Sequence, residues 1–240
     1  MTDASPTPPP TGARQSLVVA LDGPSSSGKS TVGAEAARQL RYRFCDTGLL
    51  YRAVTWLALQ RGIEPAAIER LVPLAAEVSL VGDARGRMRH VEADGRDVTT
   101  EVRSAEVDRA VSDYSKVAEL RTALVARQRA MAADGGIIMA GRDIGTVILP
   151  DAPVKIYLNA SPEERARRRA VQRRTTGEAE AAQILQELRS RDEIDSSRDT
   201  APLRTAPDAI VIHTDGTTFE ETVRSVVRTI RAAEGRARGG

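Results

Sequence analysis

Short apolar runs recur along the chain, and stretches with helical periodicity separate them. The runs lie at residues 16–21, 137–140, 154–158 and 209–212, with a shorter one at 43–45. Strands that are buried on both faces have continuous apolar runs of this kind, and they occur in parallel sheets covered by helices. The pattern therefore predicts an α/β fold in which a parallel sheet lies between two layers of helices.

Three helix starts have sequence signals of their own. Thr47 is placed to cap a helix that reaches about residue 61, and the last helix is predicted to begin near Thr218. The strongest signal is Ser161, which precedes Pro162 and has Glu164 three residues after it. This arrangement satisfies the free N–H groups of a first helical turn.

One segment has neither long apolar runs nor helical spacing. Residues 78–98 contain three glycines between short alternating runs, which is typical of small antiparallel strands. We therefore predict an inserted subdomain at 64–109 within a core formed by 16–63 and 110–235. The first 15 residues contain four prolines and are predicted to be a disordered tail.

The amino-acid composition argues against several classes of function. The 240 residues carry a net charge of +2, and only 3% are aromatic, which argues against a surface that stacks nucleic-acid bases. Two histidines and one cysteine are too few for an ordinary zinc site or for Cys–His or Ser–His catalysis. The lone Cys45 indicates a reducing cytoplasm. No run approaches 18 apolar residues, so we expect no membrane-spanning helix, and with no exposed apolar stripe we expect a monomer.

The segment after the first apolar run matches the phosphate-binding loop G-x-x-x-x-G-K-[ST] of nucleoside-triphosphate enzymes. Its glycines let backbone N–H groups point inward at phosphate oxygens, its lysine reaches the β- and γ-phosphates, and its serine hydroxyl ligates Mg²⁺. The chain has three lysines, and one of them stands where the motif needs it. The predicted nucleotide-binding residues are Gly23, Pro24, Ser25, Ser26, Ser27, Gly28, Lys29, Ser30 and Thr31.

Polar clusters follow other predicted strands, where open α/β sheets bind ligands. Residues 46–52 bring an acid, a hydroxyl and an arginine together, and 141–146 bring two glycines, an arginine and an aspartate. Guanidinium groups suit a second, anionic substrate. A helix with six arginines is predicted to be part of a lid at about 160–190, which would close over the nucleotide: Arg165, Arg167, Arg168, Arg169, Arg173 and Arg174.

With these motifs in the same order, the chain from about Leu17 to the final helix resembles the bacterial cytidylate (CMP) kinases. The resemblance lies in 22–31, 46–52, 141–146, 150–155 and 201–203. It implies a P-loop nucleoside monophosphate kinase fold with a five-stranded parallel core, a β-rich insertion in the monophosphate-binding part and a helical lid. The implied reaction is phosphoryl transfer from ATP to CMP or dCMP, with Mg²⁺.

The resemblance also implies site roles, residue by residue. Thr47 and Tyr51 would lie beside the acceptor nucleotide, and Asp195, with Arg191 and Arg198, would contact its sugar. The cytosine edge would be read by Ser112, Arg121 and Asp143. The acceptor phosphate would be held by Arg52, Arg142 and Arg191. The groups expected to act on the transferring phosphoryl group are Lys29, Arg142, Arg168 and Arg191.

One position departs from the family pattern. An acid often precedes the Gly141 position in the family, and here Ala140 stands there. Asp46 or Asp143 could supply the missing carboxylate, so Ser30 is the only direct metal contact predicted.

A kinase for another monophosphate, such as UMP or dTMP, is the alternative in the same class. Two other classes of protein are the remaining alternatives. The chain has no Asn-Lys-x-Asp motif, which argues against a regulatory GTPase, and it has few aromatic residues, which argues against a noncatalytic RNA-binding module.

Overall fold

A computed structural model describes residues 17–84, 86–175, 177–198 and 200–239. The tail predicted at 1–15 lies outside these residues. Within the described part of the chain, no helix is long and apolar enough to cross a membrane.

A single sheet organises the molecule, with strand order β3-β4-β2-β6-β1-β7-β8 and β5 paired to β4. The five strands from β2 to β8 in this order are mutually parallel, which confirms the predicted core. The phosphate-loop strand β1 is central, with β6 on one side and β7 on the other. The strands are β1 Val18–Asp22, β2 Arg43–Asp46, β3 Val78–Gly82, β4 Arg87–Ala93, β5 Arg96–Asp97, β6 Ile137–Gly141, β7 Val154–Asn159 and β8 Ile210–His213.

Helices cover both faces of this sheet. They are α1 Lys29–Leu40, α2 Gly48–Gln60, α3 Ile68–Leu71, α4 Ala105–Ser115, α5 Ala118–Ala132, α6 Pro162–Arg173, α7 Glu178–Ser197 and α8 Phe219–Gly239. Short 3-10 turns lie at Val72–Ala76 and Glu101–Arg103, and a π-helical turn lies at Ile144–Ile148.

Side chains of the central strands point alternately to the two faces of the sheet and contribute to two hydrophobic cores. Val19 and Leu21 pack on one face with α1 and α8, whereas Ala20 packs on the other face with α2, α4 and α5. Successive side chains of a strand point to opposite faces, so apolar residues at every position supply both cores. The continuous apolar runs of the sequence have this origin.

The inserted segment forms the predicted antiparallel strands, β3 with β4 and β4 with β5. It is not an isolated element, however, because β4 also pairs in parallel with β2, through Phe44 opposite Arg87 and Cys45 opposite Met88. The insertion therefore extends the central sheet. The boundaries 64–109, 16–63 and 110–235 remain predictions.

The predicted helix starts have different outcomes. The Ser161 hydroxyl accepts a hydrogen bond from the Glu164 N–H at 3.2 Å, and the Thr218 hydroxyl accepts one from the Glu221 N–H at 3.2 Å, so both act as N-caps. The helix predicted after Thr47 is confirmed as α2, with Thr47 at its N-cap position, but the Thr47 side chain does not cap it. Its hydroxyl instead donates to the Ala140 carbonyl at 2.9 Å, which ties the start of α2 to the end of β6.

Candidate active site

The phosphate loop joins the end of β1 to the start of α1. Gly23 and Gly28 have φ angles of +152° and +95°, which side-chain-bearing residues rarely adopt. A Cβ at Gly23 would lie 2.3 Å from the Leu158 carbonyl oxygen, so the loop passes directly against β7. The Lys29 ammonium donates to the Pro24 carbonyl at 2.6 Å and therefore lies across the loop.

Lys29 is a buried cation. Burial, and next the Arg142 guanidinium, hold the pKa of its ammonium well below its usual range, while Asp46 and Asp22 act in the opposite direction. A buried charge without a paired anion is costly. The phosphates of a nucleotide would supply that anion where the lysine, the loop N–H groups and the start of α1 converge.

Two carboxylates lie beneath the loop in different environments. The Ser30 hydroxyl, which is exposed, donates to Asp46 at 2.5 Å. Asp22 is buried and accepts from the N–H groups of Ile144 at 2.8 Å and Gly145 at 2.7 Å. Burial raises the pKa of Asp22 to about 6, against the lowering effect of these two hydrogen bonds.

Of the two carboxylates predicted to organise a metal ion, Asp46 is therefore better placed than Asp143. Asp46 adjoins the Ser30 hydroxyl, whereas Asp143 is buried in an ion pair with Arg121. A hydroxyl beside a carboxylate at the phosphate loop suits Mg²⁺, which takes few protein oxygens and completes its shell with phosphates and water. Within the described ranges, no three His, Cys, Asp or Glu side chains cluster as a metal site of their own.

Buried polar residues also line up between α2, α4 and α5. Arg121 of α5 donates to Asp143 after β6 and, at 3.1 Å, to the Ser115 carbonyl. Its guanidinium lies 5.2 Å from the ring centroid of Tyr51, a cation–π distance. Ser112 on α4 is also buried. Two of the residues predicted to read a nucleobase, Arg121 and Asp143, thus contact each other, and all three are buried.

A second group of charges connects the end of β6 to α7. The Arg142 Nε donates to Asp195 at 2.5 Å, and the Arg198 guanidinium lies 3.8 Å from the other oxygen of Asp195. Burial, and then the nearby guanidiniums of Arg142 and Arg52, lower the pKa of Arg191 to about 10. Asp195 and Asp108 act in the opposite direction, so Arg191 is a buried cation between other arginines and two carboxylates.

Three buried guanidinium nitrogens in this region have no hydrogen-bond partner among the residues that the structure describes: Arg121 Nε, Arg191 Nε and one terminal nitrogen of Arg198. Buried donors are normally satisfied. All three belong to residues predicted to bind the acceptor, and they are charged. The arrangement therefore fits an anionic ligand that supplies several acceptor oxygens.

The predicted lid corresponds to α6 and α7, which pack through Ala166, Ile184 and Leu188. Arg168 contacts the Ser27 carbonyl at 3.4 Å and the Thr214 carbonyl at 2.6 Å. The lid helices thus lie against the phosphate loop.

Arg165 makes a second contact of this kind. It is buried, donates to the Ser25 carbonyl at 3.2 Å and pairs with Asp192 of α7 at 2.5 Å. Sequence reasoning counted Arg165 in the arginine cluster but gave it no role. Asp22, Asp108 and Asp192 also received no role, because the sequence around an aspartate does not show which distant groups its carboxylate contacts.

The predicted residues do not all share one cavity. A cavity of about 260 Å³ lies between α4, α6, α7 and the phosphate loop, and Ser25, Asp108, Ser112, Arg169 and Arg191 contribute to its wall. The other predicted acceptor residues lie outside that wall. These residues are Thr47, Tyr51, Arg52, Arg121, Arg142, Asp143, Asp195 and Arg198.

Taken together, a phosphate loop on a central parallel strand, an arginine-bearing pair of helices against that loop and a second cluster of buried arginines are the features of a P-loop kinase. The profile of the family described as Cytidylate kinase matches residues 19–232. The chain belongs to the cytidylate kinase family.

Individual relatives agree with this assignment. A cytidylate kinase from Enterococcus faecalis (strain ATCC 700802 / V583) is 44% identical over 216 residues, which is 90% of this chain and 96% of that protein. One from Pelotomaculum thermopropionicum is 45% identical over 217 residues, 89% of this chain and 96% of that protein. A gluconokinase crystal structure from Sinorhizobium meliloti 1021 matches with TM-score 0.50 at 15% identity, covering 95% of this chain and 99% of that one. This last likeness shows the fold alone.

Proposed function

We propose that the protein transfers the γ-phosphoryl group of ATP to CMP or dCMP, giving ADP and CDP or dCDP. The observation that carries the proposal is the match to the cytidylate kinase family over 19–232. The charges of the site support it, because a buried lysine and an arginine-rich pocket suit two phosphate-bearing substrates.

On the donor side, residues 23–31 would bind the ATP phosphates, with Lys29 at the β- and γ-phosphates and Arg168 reaching over from the lid. Mg²⁺ would be held by the Ser30 hydroxyl together with phosphate oxygens and water, beside Asp46. When bound, the ion would neutralise phosphate charge.

On the acceptor side, the proposed phosphate ligands are Arg52, Arg142 and Arg191. Asp195 and Arg198 would contact the sugar, and Thr47 and Tyr51 would adjoin the nucleotide. Arg142 and Arg198 already share Asp195, so one carboxylate can orient both cations toward one substrate.

The transfer itself needs positioning more than covalent help from the protein. The acceptor oxygen belongs to a phosphate that is already an anion, so no strong general base is required. Lys29, Arg142, Arg168 and Arg191 would stabilise the charge on the transferring group and align the two oxygens. The lid helices would keep water from taking the acceptor's place.

The first test is ADP release from ATP with CMP, dCMP, UMP, dTMP, AMP and GMP in turn. Turnover with CMP and dCMP well above that with the other four supports the proposal. A preference for UMP or dTMP would keep the kinase class and discard the assigned acceptor. ATP hydrolysis that does not depend on an acceptor would contradict the proposed reaction.

The base-reading role has a test of its own. Asp143→Asn keeps the shape of a side chain that pairs with Arg121 but removes its charge. We expect the ratio of kcat/KM for CMP over UMP to fall about tenfold, the value of one charged hydrogen bond, with little change in the KM for ATP. A variant with weakened ATP binding and an unchanged acceptor ratio would show that Asp143 does not read the base.

We further infer that the enzyme acts as a monomer in the cytoplasm. The chain's one cysteine, Cys45, is a buried free thiol whose pKa burial raises to about 12, and a free thiol of this kind suits a reducing compartment. Size-exclusion chromatography with light scattering would test the monomer: a mass near 25.8 kDa is expected, and twice that mass would overturn it.

A further inference from the structure

One carboxylate outside the predicted site gathers four arginines. Asp108, on α4, pairs through Oδ1 with Arg52 of α2 at 2.5 Å and with Arg191 of α7 at 3.3 Å. Through Oδ2 it pairs with Arg169 and, at 3.3 Å, with Arg173, both on α6. Its two oxygens therefore connect the acceptor side of the molecule to the lid.

The surrounding arginines keep the Asp108 carboxyl in its ionised form. Its side chain is about 10% exposed, and although burial acts to raise its pKa, Arg52 and the other guanidiniums hold that pKa well below its usual range. Four cations in one place repel each other unless an anion lies among them. Asp108 is the anion that all four contact.

The backbone keeps this carboxylate in place. Asp108 lies in the first turn of α4, where its N–H donates to the Ser104 carbonyl at 3.0 Å and the Ser104 hydroxyl caps the Val107 N–H. The position of the carboxylate is therefore set by a capped helix.

The arginines keep free donors. Each guanidinium has five N–H groups, and the Asp108 contacts of Arg52 and Arg191 use one terminal nitrogen apiece. Arg52 gives its other terminal nitrogen to the Val102 carbonyl at 3.2 Å, and the Arg191 Nε is buried without a partner. A phosphate can therefore join these arginines without taking the place of Asp108.

We propose that Asp108 is a positioning residue for the acceptor: it aims Arg52 and Arg191 at the acceptor phosphate and fastens lid helix α6 to the acceptor side through Arg169 and Arg173. This inference rests on the proposed function. Through these contacts, the arginines that hold the acceptor and the helix that carries Arg168 are fixed to the same group.

The kinetic test compares Asp108→Asn with Asp113→Asn. Both residues lie on α4, but Asp113 is 62% exposed and pairs only with Lys116 in the described structure. In Asp108→Asn we expect the KM for CMP to rise about tenfold and kcat to fall several-fold, with the KM for ATP within about twofold of wild type. Asp108→Glu should recover part of the loss, and Asp113→Asn should match wild type.

Two kinetic results would overturn the inference. A lower KM for CMP in Asp108→Asn would mean that the carboxylate competes with the acceptor phosphate. Equal losses in the KM for ATP and for CMP, or no loss at all, would mean that Asp108 has only a structural role or none.

A second measurement does not depend on turnover. Hydrogen exchange of the ligand-free protein should be faster across α6 in Asp108→Asn than in wild type or Asp113→Asn, because Arg169 and Arg173 lose their shared anion. Unchanged exchange in α6 would refute the fastening role. If wild type fails to phosphorylate CMP, the proposed function and the acceptor role of Asp108 are both refuted. If wild type phosphorylates CMP and Asp108→Asn has the same kinetics as wild type, only this inference is refuted.

Discussion

Lys29 is the residue on which we expect donor binding to depend most. Its ammonium donates to the Pro24 carbonyl, and under the proposed function a phosphate oxygen would be a further partner for the same group. A positive charge in a buried site is worth far more to a phosphate than the same charge in water.

We expect Lys29→Ala to lower kcat/KM by at least about a thousandfold, as the loss of a charge that stabilises the transferring group does. The fold should persist, because the replaced side chain contacts only the loop's own Pro24 and Ser27 by hydrogen bonds. Steady-state kinetics and circular dichroism check the two parts. Near-wild-type turnover would rule out the assigned role of the loop.

Asp22 predicts a dependence of stability on pH. Its pKa is about 6 in the folded protein and ordinarily 3.8, so the folded state binds the proton more tightly. The stability from this group is fully present below about pH 4 and is lost as pH rises through about 6.

The comparison with Asp22→Asn isolates this effect, because the amide does not titrate. Between pH 4 and pH 7, the unfolding free energy of wild type should fall by on the order of 3 kcal/mol relative to the variant, at 1.4 kcal/mol per pKa unit. Urea denaturation at both pH values measures it. A difference that is constant or grows with pH would show that the folded pKa is not raised.

The loop residues could be predicted from sequence because their spacing is local. Asp108 could not, since its partners Arg169 and Arg191 lie 61 and 83 residues further along the chain. Nothing near Asp108 in sequence distinguishes it from a solvated acid.

At the scale of elements, α6 and α7 form a unit that touches the donor side through Arg165. This arginine joins the Ser25 carbonyl to Asp192, so a residue of α7 supports the phosphate loop without touching it.

We expect Asp192→Asn to raise the KM for ATP about five- to tenfold, because Arg165 loses the anion that orients it, while the KM for CMP changes little. Glu163→Gln is the matched control: it also breaks an ion pair between α6 and α7, but Glu163 and Arg189 are 61% and 59% exposed. Equal effects of the two variants would contradict a specific role for Asp192.

Helix starts were predictable where side chain and backbone interact within one turn, as at Ser161 and Thr218. Thr47 has the same residue type, but its hydroxyl finds the Ala140 carbonyl of a strand 93 residues away. A tertiary partner displaced the local one, and no local pattern could have indicated this.

At the scale of the whole molecule, the insertion continues the sheet through the pairing of β4 with β2. The parallel core was predictable from its apolar runs. This junction was not, because it depends on which edge of the sheet the short alternating strands meet.

A shared sheet predicts cooperative unfolding. Trp56 is the only tryptophan and packs against the core that also contains β3 and β4 residues. In urea, its fluorescence and the far-ultraviolet circular dichroism should follow one transition with the same midpoint. An earlier transition seen by circular dichroism alone would indicate that the insertion unfolds by itself.

The central position of β1 has a consequence for synthesis. This strand is made well before its two neighbours, β6 and β7, which begin at Ile137 and Val154. Until the ribosome has extruded the chain beyond Gly141 both edges of this apolar strand lack their partners, and until it passes Asn159 one edge still does, a condition that favours aggregation. A nascent chain released before that point carries the nucleotide loop on an unsupported strand, and we expect such a fragment to be degraded as misfolded protein rather than to bind ATP.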